Sequence, residues 1–426
     1  MTLPDDKQAA DLRPRRGTAL LIVSCMCAIY FFAYFQRVSI PGAIFNQLQS
    51  SLAISAGAVA AFGALYMYIY GGMQFIAGAM NDRFGAVRVI LLGGILLAVG
   101  SVLFPLAGSL QLLYASRALV ALGDSLIYIS IVKALDQLFP ARMFPVLLGI
   151  AMFVGCAGGL ASTLPMERAV HAWGWRPSLL IAGITTAIVV AASGWIFRRT
   201  RGVTRHVSTL SLRSIPTILR DRSNLMMFIA APLNFAVFFL VLTVIGKKFL
   251  LDYGRIDSPT ASLLTFTMMA MPMLIALING VFLRMSGGRR RPLMMLSIVL
   301  ALLSVAALLA GIHFGLSTGW FLFCYILLGL STLASPISNI IMKELNSSEQ
   351  LGLAIGIANG VSYLDVALCS TLAGTILDHY RIHAVLTAGA IVYPQQAYTS
   401  IFLCCLALLA LAFICVLFIR ETGKEG

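Results

Sequence analysis

Tyr30, Tyr34 and Arg37 stand in the run CAIYFFAYFQRVSIPG, residues 27–42. The tyrosines precede the arginine by seven and three residues, so all three share one face of a helix. A guanidinium is always charged and can hold a carboxylate or phosphate through two parallel hydrogen bonds. Phenols beside it would add hydroxyl donors and aromatic walls. A second set, Arg117, Asp124 and Tyr128, is spaced seven and four apart, again on one face. Asp124 can take up and release a proton, and Arg117 can tune that exchange. A static Arg117–Asp124 pair that only positions helices is the alternative.

Both sets lie in strongly apolar surroundings. The chain has 426 residues, 60% of them hydrophobic and only 11% charged. Soluble domains carry about 25% charged residues, so a mean hydropathy of +0.93 requires lipid as the solvent. A membrane-spanning helix needs about 20 apolar residues. Twelve such stretches are predicted, at 18–42, 54–78, 88–107, 110–137, 144–165, 177–197, 224–246, 259–283, 292–312, 318–342, 351–376 and 397–420. The alternation of a membrane β-barrel is absent. The polar first 17 residues lead into a retained helix rather than a cleaved signal peptide.

The net charge of +14 is explained by placement. Most of the Lys and Arg fall in segments that share a side with both termini, while Arg37 and Arg117 lie within spans. That is the positive-inside pattern, and it predicts cytoplasmic termini in the cell (inner) membrane and no nucleic-acid partner. The eight cysteines all lie in apolar stretches and read as small core residues. No histidine pair, phosphate-cradling loop or nucleophile–base set appears. An enzyme, a metal site and a cofactor are therefore not expected.

The long polar stretch at 198–223 divides six spans from six, and the halves echo each other. GAMNDRFGAVR (78–88) aligns with GVFLRMSGGRR (280–290), and GIAMFVGCAGGLASTL (149–164) with GIANGVSYLDVALCSTL (356–372). Repeated halves with a site between them are the build of many secondary transporters. Predicted boundaries are a tail at 1–17, a bundle at 18–197, a basic linker at 198–223, a second bundle at 224–420 and a tail at 421–426.

GAMNDRFGAVR resembles the loop 2–3 signature of the major facilitator superfamily. Gly78, Asp82, Arg83, Gly85 and Arg88 match, while Ala86 departs from the usual basic residue. RALVALGD (117–124) is a partial match to the helix 4 motif, with Arg117 and Gly123 fitting and Ala121 departing. YFFAYFQRVSIPGAI is similar to helix 1 of the organic-anion and organophosphate branches. The resemblance implies an all-α membrane protein of two pseudo-symmetric six-helix bundles. It implies that Asp82 faces the start of helix 11 and, with Arg83, latches the cytoplasmic side. It also implies that Arg37 binds the anionic group of a substrate.

The expected function is proton-coupled symport of a small anionic metabolite, such as a carboxylate, by alternating access in a monomer. Arg37 grips the anion, Asp124 carries the proton, and Asp365 on helix 11 is the rival carrier. Tyr66, Tyr70, Asn234, Ser335, Asn339, Asn359 and Tyr363 are candidates for the cavity wall, with packing or helix–helix hydrogen bonding as their simpler role. Lys247 and Lys248 either funnel anions or anchor at the interface, and Lys133 snorkels to the cytoplasm. Efflux of amphipathic or drug-like compounds is the alternative, and a non-transporting membrane sensor a remote one.

Overall fold

The computed structural model describes residues 16–140, 143–199, 215–254, 256–387 and 390–422. The tail before Arg16, most of the basic linker and the last four residues lie outside the described residues. Among the described residues, twelve helices are long and apolar enough to cross a membrane, one for each expected span. They are α1 (Arg16–Ser39), α2 (Ala56–Phe84), α3 (Ala86–Leu106), α4 (Leu110–Leu138), α5 (Phe144–Ala161 and Leu164–Trp173) and α6 (Trp175–Arg199). The second half holds α7 (Arg222–Leu240 and Gly246–Asp252), α8 (Ser258–Met285), α9 (Arg291–Phe314), α10 (Thr318–Leu330 and Ala334–Leu345), α11 (Ser348–His379) and α12 (Gln395–Leu417). An even number of crossings brings α1 to begin and α12 to end on one side, the terminal end. The opposite side is the far end.

Local chemistry sets many boundaries. Ser55, Ser109 and Asp221 cap α2, α4 and α7 by accepting hydrogen bonds from Ala58, Leu112 and Asn224 N–H groups. The loop 2–3 signature is almost entirely helical: α2 runs to Phe84 and α3 begins at Ala86. Gly85 makes the turn at φ +84°, which a side chain would resist. Three spans are broken. α5 pauses at Ser162–Thr163 ahead of Pro165, α10 tightens into a 3₁₀ turn at Ser331–Leu333, and α7 widens into a π turn at Val241–Ile245.

At the far end the halves are bound together. Asp378, at the end of α11, accepts hydrogen bonds from the Gly57 N–H at 3.0 Å and the Ser55 hydroxyl at 2.8 Å, at the start of α2. Gln49, in the short helix Phe45–Leu52, donates to the Tyr393 hydroxyl at 2.9 Å. Tyr393 follows a hairpin of β1 (Val385–Thr387) and β2 (Ala390–Val392), which the sequence did not suggest. α2 and α11 touch along their length. A Cβ on Gly71 would lie 3.0 Å from the Gly360 carbonyl oxygen. The polar contacts described at the terminal end, such as Lys133–Asp82, Arg290–Glu344 and Asn224–Asn346, each join helices of one half.

Candidate functional site

Arg37 is 1% exposed, and its charge meets a buried partner on α4. Its Nε and Nη2 donate to Asp124 Oδ2 at 2.9 and 2.7 Å. Nη1 donates to the Tyr363 hydroxyl at 2.8 Å, on α11 of the other half. Tyr66, on α2, donates its hydroxyl to the same Asp124 oxygen. Asp124 Oδ1 accepts no hydrogen bond from the described residues. One carboxylate oxygen is thus loaded with three donors and the other is left over.

Aromatic rings enclose the guanidinium. Its carbon lies 4.3, 4.8 and 5.4 Å from the ring centres of Tyr70, Tyr34 and Tyr363, close enough for cation–π attraction. Tyr30 extends the wall by edge contact with Tyr34 and by packing on Tyr128, each at 5.9 Å between centres. Six tyrosines from α1, α2, α4 and α11 therefore form one cage. For Tyr66 and Tyr70 the packing alternative gives way to direct contact with charge.

Arg117 corrects the sequence reading. It does not pair with Asp124. Its guanidinium donates to the carbonyls of Gln36 at 2.8 Å, Ile40 at 2.6 Å, Arg37 at 3.4 Å and Phe62 at 3.4 Å. Three of these carbonyls lie at or just past the end of α1, where a helix leaves acceptors unsatisfied and favours a cation. Arg117 also sits 4.2 Å from the Tyr66 ring centre. It pins the segment that carries Arg37 and the ring that holds Asp124. The static-pair alternative fails on the same contacts.

Other candidates scatter. Asn234 donates to the Ser331 carbonyl at 3.1 Å and ties α7 to α10. Ser335 and Asn339 are exposed, and Asn359 is half-buried one turn from Tyr363 on the same face. Asp365 lies two residues after Tyr363, so about 200° around α11, away from Arg37. Its face continues through Cys369, Leu372 and Ile376, which meet Ile401, Cys404 and Leu408 of α12. The structure therefore removes Asp365 from the Arg37 cluster. Asp82 is bonded by Lys133 of α4 at 2.6 Å. Lys133 reaches back to α2 instead of snorkelling free. Arg83 and Arg88 are exposed, and Gly78 is half-buried.

Lys247 and Lys248 are neither funnel nor anchor in this conformation. Lys248 is fully buried, bonded to Asp252 Oδ1 at 2.7 Å and to the Ile391 carbonyl. Asp252 also takes the Tyr398 hydroxyl at 2.6 Å and the Tyr393 N–H at 3.0 Å. Lys247 pairs with Glu167 of α5. Sequence reasoning missed Glu167 and Asp378. Glu167 lay two residues past the predicted end of its span at 165, whereas α5 runs on to Trp173.

Known proteins place the chain in a family. The chain is 26% identical to a probable sulfoacetate transporter, SauU, of Cupriavidus necator over 40% of each chain. It is 26% identical to human monocarboxylate transporter 11 over 41% of this chain and 36% of that one. It is also 26% identical to the riboflavin transporter RibZ of Clostridioides difficile, over 30% of this chain and 28% of that one. The matched region thus spans less than half the length of each of these curated relatives. The fold matches a peptide transporter POT in complex with sulfate, with TM-score 0.77 at 16% identity over 97% of this chain and 98% of that one. A nucleoside transporter, NupG, follows at TM-score 0.71 and 16% identity over 94% and 100%. The sequence pattern of the Major Facilitator Superfamily matches residues 26–287 and again 227–426. The chain belongs to the Major Facilitator Superfamily and is a multi-pass membrane transporter of that type.

Proposed function

We propose that this transporter is a proton-coupled symporter of a small organic anion, working by alternating access, with Arg37 as the anion's partner and Asp124 as the proton carrier. The observation that carries the reading is the buried Arg37–Asp124 pair, tied across the halves through Tyr363. A carboxylate and a substrate anion compete for one guanidinium edge. When a proton binds Asp124, on the oxygen that accepts no hydrogen bond, the carboxylate becomes neutral and its hold on Arg37 weakens. The Nε–Nη2 edge is then open to the substrate's carboxylate or sulfonate. Loss of the proton returns Asp124 to Arg37 and expels the anion. Proton and anion are thereby bound together or not at all.

The relatives named for sulfoacetate and monocarboxylate transport support an anionic substrate. The distribution of Lys and Arg supports placing both termini in the cytoplasm of the inner membrane. In that orientation the far end faces outward and is the sealed side. The transporter is taken to work as a monomer.

The test is uptake of radiolabelled L-lactate and sulfoacetate into proteoliposomes with an imposed pH gradient. Accumulation that an inward proton gradient drives and an ionophore collapses is expected. Efflux of drug-like compounds is the second reading, favoured by the six-tyrosine cage. Proton-driven movement of a hydrophobic cation without any anion uptake would select it.

A further inference from the structure

A second buried ion pair lies between the halves, and the Arg37 cluster does not use it. Lys247 is 6% exposed and Glu167 is 4% exposed. The Lys247 ammonium bonds the Glu167 carboxylate and, at 3.1 Å, the Ala43 carbonyl. These occupy two of its three donors. It borders a narrow pocket with the hydroxyl residues Ser162, Thr163, Ser262 and Thr265, and with Val38, the neighbour of Arg37. The pocket is too small for an organic anion in this conformation.

A buried ion pair is weak evidence for stability, because apolar replacements are often as stable. Position offers a better reason for this one. Ala43 lies beyond Arg37 toward the far end, and α5 and α7 belong to different halves. When the far end opens, those helices part. Glu167 leaves with α5, and Lys247 becomes the first buried cation on the path to Arg37. We propose that Lys247 is a second anion subsite, taking the carboxylate or sulfonate head of the substrate before Arg37 does, and that Glu167 is the counter-ion which the anion replaces. This rests on the anion-carrier reading.

Two variants of opposite sign separate a subsite from a strut. Uptake of L-lactate and sulfoacetate is measured from the far face and from the terminal face, in proteoliposomes with one protein orientation. Lys247→Gln should raise the far-face half-saturation concentration about tenfold or more and leave the terminal-face value unchanged. Glu167→Gln removes the competitor and should lower the far-face value. A strut loses the same contact in both variants, so shifts in one direction overturn the proposal, as do shifts equal at both faces. If Lys247→Gln fails to insert, Lys247→Arg keeps the charge and should stay near wild type while Glu167→Gln still falls. A far-face rise in both variants then overturns it. Wild-type protein that moves neither anion overturns the anion-carrier reading and this proposal with it. One-directional shifts in a transporting wild type overturn this proposal alone.

Discussion

Arg37 presents two adjacent nitrogens to one carboxylate oxygen and a third to a phenol on the opposite half. That geometry belongs to a fork and not to a point charge. Arg37→Lys should therefore weaken anion affinity by roughly 10-fold or more, since a charge-assisted hydrogen bond is worth about 1.5–3 kcal/mol. Arg37→Gln should nearly abolish binding, and calorimetry or uptake kinetics at matched folding would read both. Equal affinities in all three proteins would refute the anion site. Asp124→Asn keeps the shape but cannot lose a proton. We expect it to stop proton-driven accumulation while leaving substrate exchange, and full pH-dependent accumulation in that variant would remove Asp124 from the coupling. Both residues were legible as candidates, because charges are rare in apolar spans. Their pairing was not. Arg117 and Asp124 share a face of α4, yet seven residues of helix separate them by about 10 Å along the axis. In that gap the loose end of α1 supplies carbonyls that suit a guanidinium better.

At the scale of helices, the length of the apolar stretches located every span, but the breaks within spans were harder to read. Pro165 and Pro336 mark the interruptions of α5 and α10 in the sequence. The π turn at Val241–Ile245 has no such mark, and it sits directly before Lys247 and Lys248. A side chain's direction around a helix is set by counting residues, and one extra residue in a turn rotates everything after it. The predicted span stopped at 246, just short of the two lysines, whereas α7 runs on to Asp252 and buries both. Between α2 and α11 the governing feature is close backbone approach. Gly71→Val would push side-chain carbons against the Gly360 carbonyl and the Leu364 side chain. We expect normal membrane insertion with uptake cut by about tenfold or more, from a helix pair that can no longer close. Wild-type uptake rates in that variant would show that the contact is dispensable.

Across the whole molecule, Asp378 joins the end of α11 to the start of α2. A carboxylate at a helix N-terminus is favoured by about 0.3–1 kcal/mol when exposed and more when partly buried. Asp378→Asn should weaken the seal at the far end and raise the population open on that side. Labelling of a single cysteine introduced beside Gln49 with a membrane-impermeant reagent should accelerate. An unchanged labelling rate would show that the other contacts hold the seal alone. The twofold arrangement of halves was legible from the repeated glycine-bearing segments. Which end is sealed was not, because it depends on contacts such as Asp378 with Gly57, between residues far apart in the chain.

The pairing of buried charges has an electrical consequence. Arg37 with Asp124, Lys247 with Glu167 and Lys248 with Asp252 each sum to zero. Arg117 is held by carbonyls of its own half and rides with it. As the carrier swings from one side to the other, these three pairs thus drag no net charge through the membrane field, where each unit would otherwise be worth about 2.3 kcal/mol per 100 mV. A singly charged substrate taken with one proton adds none. Net uptake of L-lactate should then run at the same rate whether a potassium diffusion potential is set positive, negative or at zero, and a rate that follows the imposed voltage would mean that a charge is left unmatched somewhere in the cycle.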